Sequence, residues 1–321
     1  MDTNRKPHNK PHKQQRRWHI LVFLLPAFLI YSIFAIYPII ESLRLSLYHS
    51  VQSAEGVGTT AEFSGLANYL RLMGEPYWSE QFWNAFKNNF LLFAMHMLIQ
   101  NPIALALAAL VSIPTLKGAA TYRTIFFLPT LLSVVIIGFI WQLILSPLWG
   151  ITPDFMKWLG IREWFKPWLG LESSALITVT LISIWQYVGI PLMLFYAGLL
   201  NIPEETIEAA RIDGLNGWSI FWKVKLPLIL PTLGVVAILT YIGNFTASFD
   251  IIYTLQGGLA GPDYSTDVMG TFLFRTFFGF QSQLGDTYMG ATVASVLFFI
   301  ILVGVAIYLF GVQRRLQRYE F

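Results

Sequence analysis

Thr240, Asn244 and Ser248 recur at every fourth position within an otherwise apolar stretch. On a helix that spacing sets them in one polar stripe. Nearby in the chain, Trp185-Gln186-Tyr187 supplies an amide between two aromatic rings. Hydroxyls, amides and rings are the groups that hold a hydroxyl-rich solute, by hydrogen bonding and by stacking. The same polar types also join neighbouring helices in a membrane, so solute contact and helix glue are both open for this stripe. Asp250, just beyond it, suits either the mouth of a path or an interface. His96 is the one ionisable side chain deep in an apolar run, and a hydrogen bond to an adjacent helix is a simpler role for it than a proton relay.

A second constellation lies between two apolar runs, at Glu208–Pro231. Glu208, Arg211, Asp213, Lys223 and Lys225 would each cost roughly 3 kcal/mol at the centre of a hydrocarbon layer. The segment therefore belongs in water beside a membrane. Pro203 suits a first helical turn, and Glu204 and Glu205 suit its positive end. The helix runs on through Glu208-Ala209-Ala210-Arg211 and stops at Gly214, which takes a left-handed conformation cheaply. Asn216-Gly217 turns the chain, and a second short helix starts at Trp218. Glu204, Glu208 and Arg211 share a face, while Ala209 and Ala210 are small enough for another surface to approach. An ordinary solvated loop is the plainer alternative.

The elements that position these groups follow from hydropathy. Of the 321 residues, 55% are hydrophobic and 12% charged. A soluble domain carries roughly 25% charged residues. Six runs reach the ~20 apolar residues that a membrane-crossing helix needs: Ile20–Ile40, Phe90–Val111, Ile125–Leu145, Ala175–Leu200, Leu226–Phe249 and Tyr288–Val312. The reading is an all-α integral membrane protein, with a basic tail over 1–19, a six-helix domain over 20–312 and a short end at 313–321. The first run is too long for the apolar core of a signal peptide and reads as an uncleaved anchor. With both termini in the cytoplasm, 14 of the 21 Lys and Arg and only 6 of the 18 Asp and Glu lie inside. That is the positive-inside pattern, and it puts 201–225 in the cytoplasm. The 146–174 connection, with Trp149, Trp158, Trp164 and Trp168, reads as a helix at the outer interface.

The chemistry that is missing is as informative. No Gly-Lys dipeptide occurs, so there is no phosphate-binding P-loop. The centres of the six runs hold no Asp, Glu, Lys or Arg, against the ion-coupled site of a secondary transporter. Neither zinc-binding H-E-x-x-H nor G-x-S-x-G is present, and with no cysteine neither thiolate chemistry nor a metal site is expected. A membrane enzyme acting on lipid would need a carboxylate, histidine or metal cluster that does not stand out. A net charge of +3 is too small to argue for nucleic acid. The chain reads as a pore with a polar handle and no engine of its own.

At the handle, E-A-A-x-x-D-G followed by x-L-P-L-x-x-P (Glu208, Ala209, Ala210, Asp213, Gly214, Leu226, Pro227, Pro231) resembles the signature loop of the permease subunits of binding-protein-dependent ABC importers. Further segments are similar to that family's carbohydrate branch: LLPAFLIYSIFAIYPIIESLRLSLY in the first run, F-x-GLANY at Phe63–Tyr69, FWNAFKNNF at Phe82–Phe90, YRTIFFLPTLLS at Tyr122–Ser133 and AGLLNIPEETIEAA at Ala197–Ala210. The RRLQRYEF ending looks like the first permease of a maltose- or glycerol-phosphate-type pair. The resemblance implies a type I importer permease core that is not itself an enzyme. It implies a second permease, two ATPase subunits that bind ATP and Mg outside this chain, and a solute-binding protein docking on the outer loops. It implies that Glu208, Ala209, Ala210, Arg211, Asp213 and Gly214 form the helix gripped by an ATPase. From the related maltose importer, it implies that Gln186, Tyr187, Thr240, Gly243, Asn244 and Ala247 contact solute. The solute would be a sugar or oligosaccharide, with a glycerol-phosphate ester or another polyol as the nearest rival. A phosphate ester would want a basic group, and the fourth and fifth runs offer none.

Overall fold

The computed structural model describes residues 15–52, 59–281 and 283–316. Most of the 1–19 tail and all of 317–321 lie outside those described residues. Three helices are long and apolar enough to cross a membrane unbroken: Val22–Leu45, Pro76–Val111 and Thr287–Gln313. Three more crossings are bent pairs: Ala119–Leu131 with Val134–Leu145, Glu172–Tyr187 with Gly189–Leu200, and Gly217–Leu228 with Leu230–Thr246. Each predicted run falls on one of these six, here called spans one to six in chain order.

Two expectations about length need correcting. Span two starts at Pro76, about four turns before Phe90. Glu80 and Lys87 hide this from hydropathy, yet both lie on the exposed face, while Trp78, Phe82, Ala85, Asn89 and Leu92 form a buried stripe. Its 36 residues reach about 54 Å, well beyond a hydrocarbon layer of about 30 Å, so the Pro76 end projects past the membrane. Likewise, helix continues past Phe249: after a break at Ala247, Ser248–Gln256 carries the fifth crossing onward.

Span three was expected to be continuous over Ile125–Leu145, and instead its halves meet at 94°. Pro129 lies in the last turn of the first half, and Leu132 and Ser133 are extended. The first half packs with the Ala104–Val111 part of span two and the Gly189–Leu200 half of span four. The second half packs with Glu172–Tyr187 and Ser248–Gln256. The two halves therefore serve two separate cores at opposite ends of the bundle, and the chain crosses from one to the other. Gly189 permits the sharp packing: a Cβ there would lie 2.8 Å from Phe127 Cα and 2.9 Å from the Phe126 carbonyl oxygen.

A third core joins Ala67–Gly74, span two, Met269–Phe278 and span six through Leu72, Phe82, Phe272 and Met289. Beside it, Tyr48–Gln52 and Thr59–Phe63 pair as an antiparallel hairpin, which hydropathy did not disclose. The expected interfacial helix in 146–174 covers only Ile151–Trp158; Trp149, Trp158 and Trp164 are exposed and Trp168 is partly packed against a core.

The 257–287 connection contains a fully buried ion pair that sequence reading did not single out. Arg275 Nη2 lies 2.7 Å from Asp267 Oδ2, and neither side chain is exposed. Thr271 Oγ1 donates to Asp267 Oδ1 at 2.6 Å, and Arg275 also donates to Gln81 Oε1 at 3.1 Å and stacks over Tyr264. Burial pushes the Asp267 carboxyl up, while the guanidinium and the Thr271 hydroxyl pull it down. Span two grips the same segment: Asn84 donates to the Tyr264 carbonyl and Asn88 to those of Ser265 and Asp267.

Candidate functional site

Spans two, four and five enclose a cavity of about 210 Å³. Five of the six residues expected on the solute path line it: Tyr187, Thr240, Gly243, Asn244 and Ala247. The sixth, Gln186, does not. Adjacent helical residues point about 100° apart, and Gln186 is buried beside the break in span three, where its Nε2 lies 3.5 Å from the Leu132 carbonyl and Thr130 Oγ1 donates to its own backbone carbonyl at 2.9 Å. His96, Gln100 and Ser183 complete the polar lining. Gln100 and Ser183 were missed because a π turn at His96–Gln100 decides which side of span two faces inward.

The hydrogen bonds give the lining a polarity. Thr240, Asn244 and Ser248 each donate to the carbonyl one turn earlier, at 2.8, 2.8 and 2.6 Å. The stripe's donors are thereby occupied, leaving oxygen lone pairs toward the cavity. His96 Nδ1 lies 2.8 Å from the Leu92 carbonyl, which can only accept, so the proton sits on Nδ1 and Ser183 donates to Nε2 at 3.2 Å. That is the helix-joining role expected of His96. Gln100 is buried and its Oε1 has no partner among the described residues. A buried acceptor left without a donor costs about 1–3 kcal/mol, which a donor entering the cavity would recover. No Asp, Glu, Lys or Arg lines the cavity.

The handle folds as its local signals dictate. Glu204–Ile212 is helical, with Pro203 at its N-cap. It ends in a Schellman turn: Leu215 N donates to the Ala210 carbonyl at 3.1 Å and Gly214 N to that of Arg211 at 3.0 Å, with Gly214 at φ +81°. Asn216 Oδ1 caps the next helix by accepting from Ser219 N at 2.9 Å. Glu208, Ala209, Arg211 and Asp213 are exposed, and Ala210 is buried against the chain itself. Ile212, 87% exposed, and Trp218, 72% exposed, add apolar area to this polar surface, a feature not singled out from the sequence.

A polar-lined cavity within an apolar bundle and an exposed acidic-alanine helix between spans four and five are the arrangement of a transport permease. The family model for the binding-protein-dependent transport system inner membrane component matches residues 116–318. This chain belongs to that family. The permease is 32% identical over 280 residues to a probable ABC transporter permease protein of Bacillus subtilis, YurN, covering 85% of this chain and 91% of that protein. It is 30% identical over 282 residues to the lactose transport system permease protein LacF of Rhizobium radiobacter, covering 88% and 90%. It is 28% identical over 305 residues to the sn-glycerol-3-phosphate transport system permease protein UgpA of Pectobacterium atrosepticum, covering 94% and 96%. Among solved structures, a bacterial ABC transporter involved in import of the acidic polysaccharide alginate superposes with a TM-score of 0.75 at 25% identity, over 96% of this chain and 98% of that one. The permease is thus a multi-pass inner-membrane protein with the type I ABC importer permease fold.

Proposed function

We propose that this permease is one of a pair forming the path of an ATP-driven importer for an uncharged sugar or oligosaccharide, and that the cavity between spans two, four and five receives it. The lining carries the argument: it holds no charged side chain and presents acceptor oxygens. A sugar brings many hydroxyl donors to such a wall. A phosphate ester or uronate brings oxygens that only accept, and no Lys or Arg meets them. The names of LacF and UgpA frame this choice, and the cavity favours the former chemistry over the latter.

Coupling falls to the helix Glu204–Ile212. Two separate ATPase subunits bind ATP and Mg; one receives this helix through Glu208, Arg211 and Asp213, with Ala209 allowing close approach and Gly214 setting the turn. Both termini and 201–225 are cytoplasmic, following the Lys and Arg asymmetry. A solute-binding protein delivers cargo at the opposite face, and the spans alternate between outward and inward openings. The exposed apolar flanks of span one, such as Phe23 and Phe34, face lipid or the second permease.

The test is competition in cells that import through this permease. Neutral mono- and oligosaccharides should compete for uptake, and glycerol 3-phosphate or a uronate should not. Asn244→Leu should lower transport about tenfold or more, by removing a polar wall group worth about 1–3 kcal/mol, while leaving assembly intact. Efficient uptake of an anion, or unchanged kinetics in Asn244→Leu, would remove the cavity from the path.

A further inference from the structure

Asn89 is buried in span two and uses both ends of its amide. Its Nδ2 donates to the backbone carbonyl of Asn244 at 2.7 Å, and its Oδ1 accepts from the backbone N–H of Met269 at 2.7 Å. Asn244 lines the cavity. Met269 begins the helix Met269–Phe278, which carries Arg275 of the buried ion pair. Both backbone groups sit at helix ends, where intrahelical partners run out: Asn244 is in the last turn before the break at Ala247, and Met269 is the first residue of its helix. Among the described residues, no other side chain hydrogen-bonds to both the 257–278 segment and span five. Phe249 also packs on that segment, at Gly270, but it lies beyond the break, whereas Asn89 reaches the residue before it.

We infer that Asn89 is a positioning residue that ties the cavity wall at Asn244 to the segment 258–275, so that movement of the segment is felt inside the cavity. Gln81, Asn84 and Asn88 hold the segment to span two from the same side. Asn89 extends that grip by one contact into span five. Loosening the segment shifts Asn244 only while the Asn89 amide connects them. This rests on the reading of the cavity as the solute path, deepening it with a route from the segment at its mouth.

The permease contains no cysteine, so a single introduced thiol reports its own surroundings. In the assembled importer in membrane vesicles, Ala247→Cys marks the wall beside Asn244 and Ile190→Cys marks the facing wall on span four; both positions line the cavity. The readout is the modification rate by a methanethiosulfonate reagent, with no solute present. Asn88→Ala, which removes two hydrogen bonds to the segment, should change the rate at Ala247→Cys by about fivefold, the scale of a lost buried hydrogen bond, and leave Ile190→Cys unchanged. Adding Asn89→Ala should abolish that response. An Asn88→Ala effect of equal size with Asn89→Ala present overturns the inference. If Asn89→Ala fails to insert, the comparison of the two thiols in Asn88→Ala decides alone, and equal rates at both overturn it. Since labelling uses no solute, a failure of Asn244→Leu to alter uptake would refute the solute path without touching this result.

Discussion

Replacing Arg275 by Met should be among the most damaging changes outside the cavity. The guanidinium contacts both Asp267 oxygens, at 2.7 and 3.3 Å, with neither side chain exposed. Unit charges about 4 Å apart at an effective dielectric near 20 attract by about 4 kcal/mol. Removing one member of a buried pair costs about 3–5 kcal/mol, because the remaining charge is left without a partner. In Arg275→Met the Thr271 hydroxyl remains on Asp267, and the Gln81 contact is lost. The purified protein should melt about 6–15 °C lower. The pH dependence has a definite sign. Burial already pushes Asp267 up, and losing the cation raises it further above its unfolded value near 4. A carboxyl raised in the folded state destabilises fully above its folded pKa, and that cost fades as pH falls toward the unfolded pKa. The gap in melting temperature between variant and parent should therefore narrow from about pH 8 to about pH 5. The double variant Asp267→Leu with Arg275→Met removes both charges and should recover most of the loss. A single variant as stable as the parent, or a double variant no better than the single, would refute this account.

Other substitutions probe the rest of the structure. Gly189→Leu should lower stability by about 2–3 kcal/mol, seen as a lower melting temperature, because the atoms it meets are the Phe126 and Phe127 backbone. Gly214→Val forces a β-branched residue to φ +81° at about 1–2 kcal/mol; it should fray the Schellman turn and weaken copurification of an ATPase, while membrane insertion is unchanged. Glu208→Lys reverses an exposed charge on the same helix and should uncouple uptake without loss of the inserted protein; normal uptake in that variant would argue against the assigned handle.

Much of this was legible because it is written locally. Pro203 and Gly214 bracket the handle within eleven residues, and each apolar run announces a span. The rest depends on partners distant in sequence. Glu80 and Lys87 interrupt hydropathy without interrupting the helix, since only one face of the Pro76 end is covered. Pro129 suggested a kink, but the 94° turn also needs Gly189, in another span, to make room. Asp267 and Arg275 look like ordinary loop charges until the fold closes over them. Gln186 and Tyr187 are equivalent candidates by composition, and only the rotation of span four separates cavity from seam.

The widened turn at His96–Gln100 holds one residue more than an α-helical turn. Deleting a residue there would rewind it and rotate the remainder of the helix by about 100°. Ala104, Ala108 and Val111, now fully covered, would swing out of the seam with Leu192 and Phe195. The stretch can absorb many exchanges of side chain but no change of length, so its tolerance to insertion and deletion should be far narrower than its tolerance to substitution.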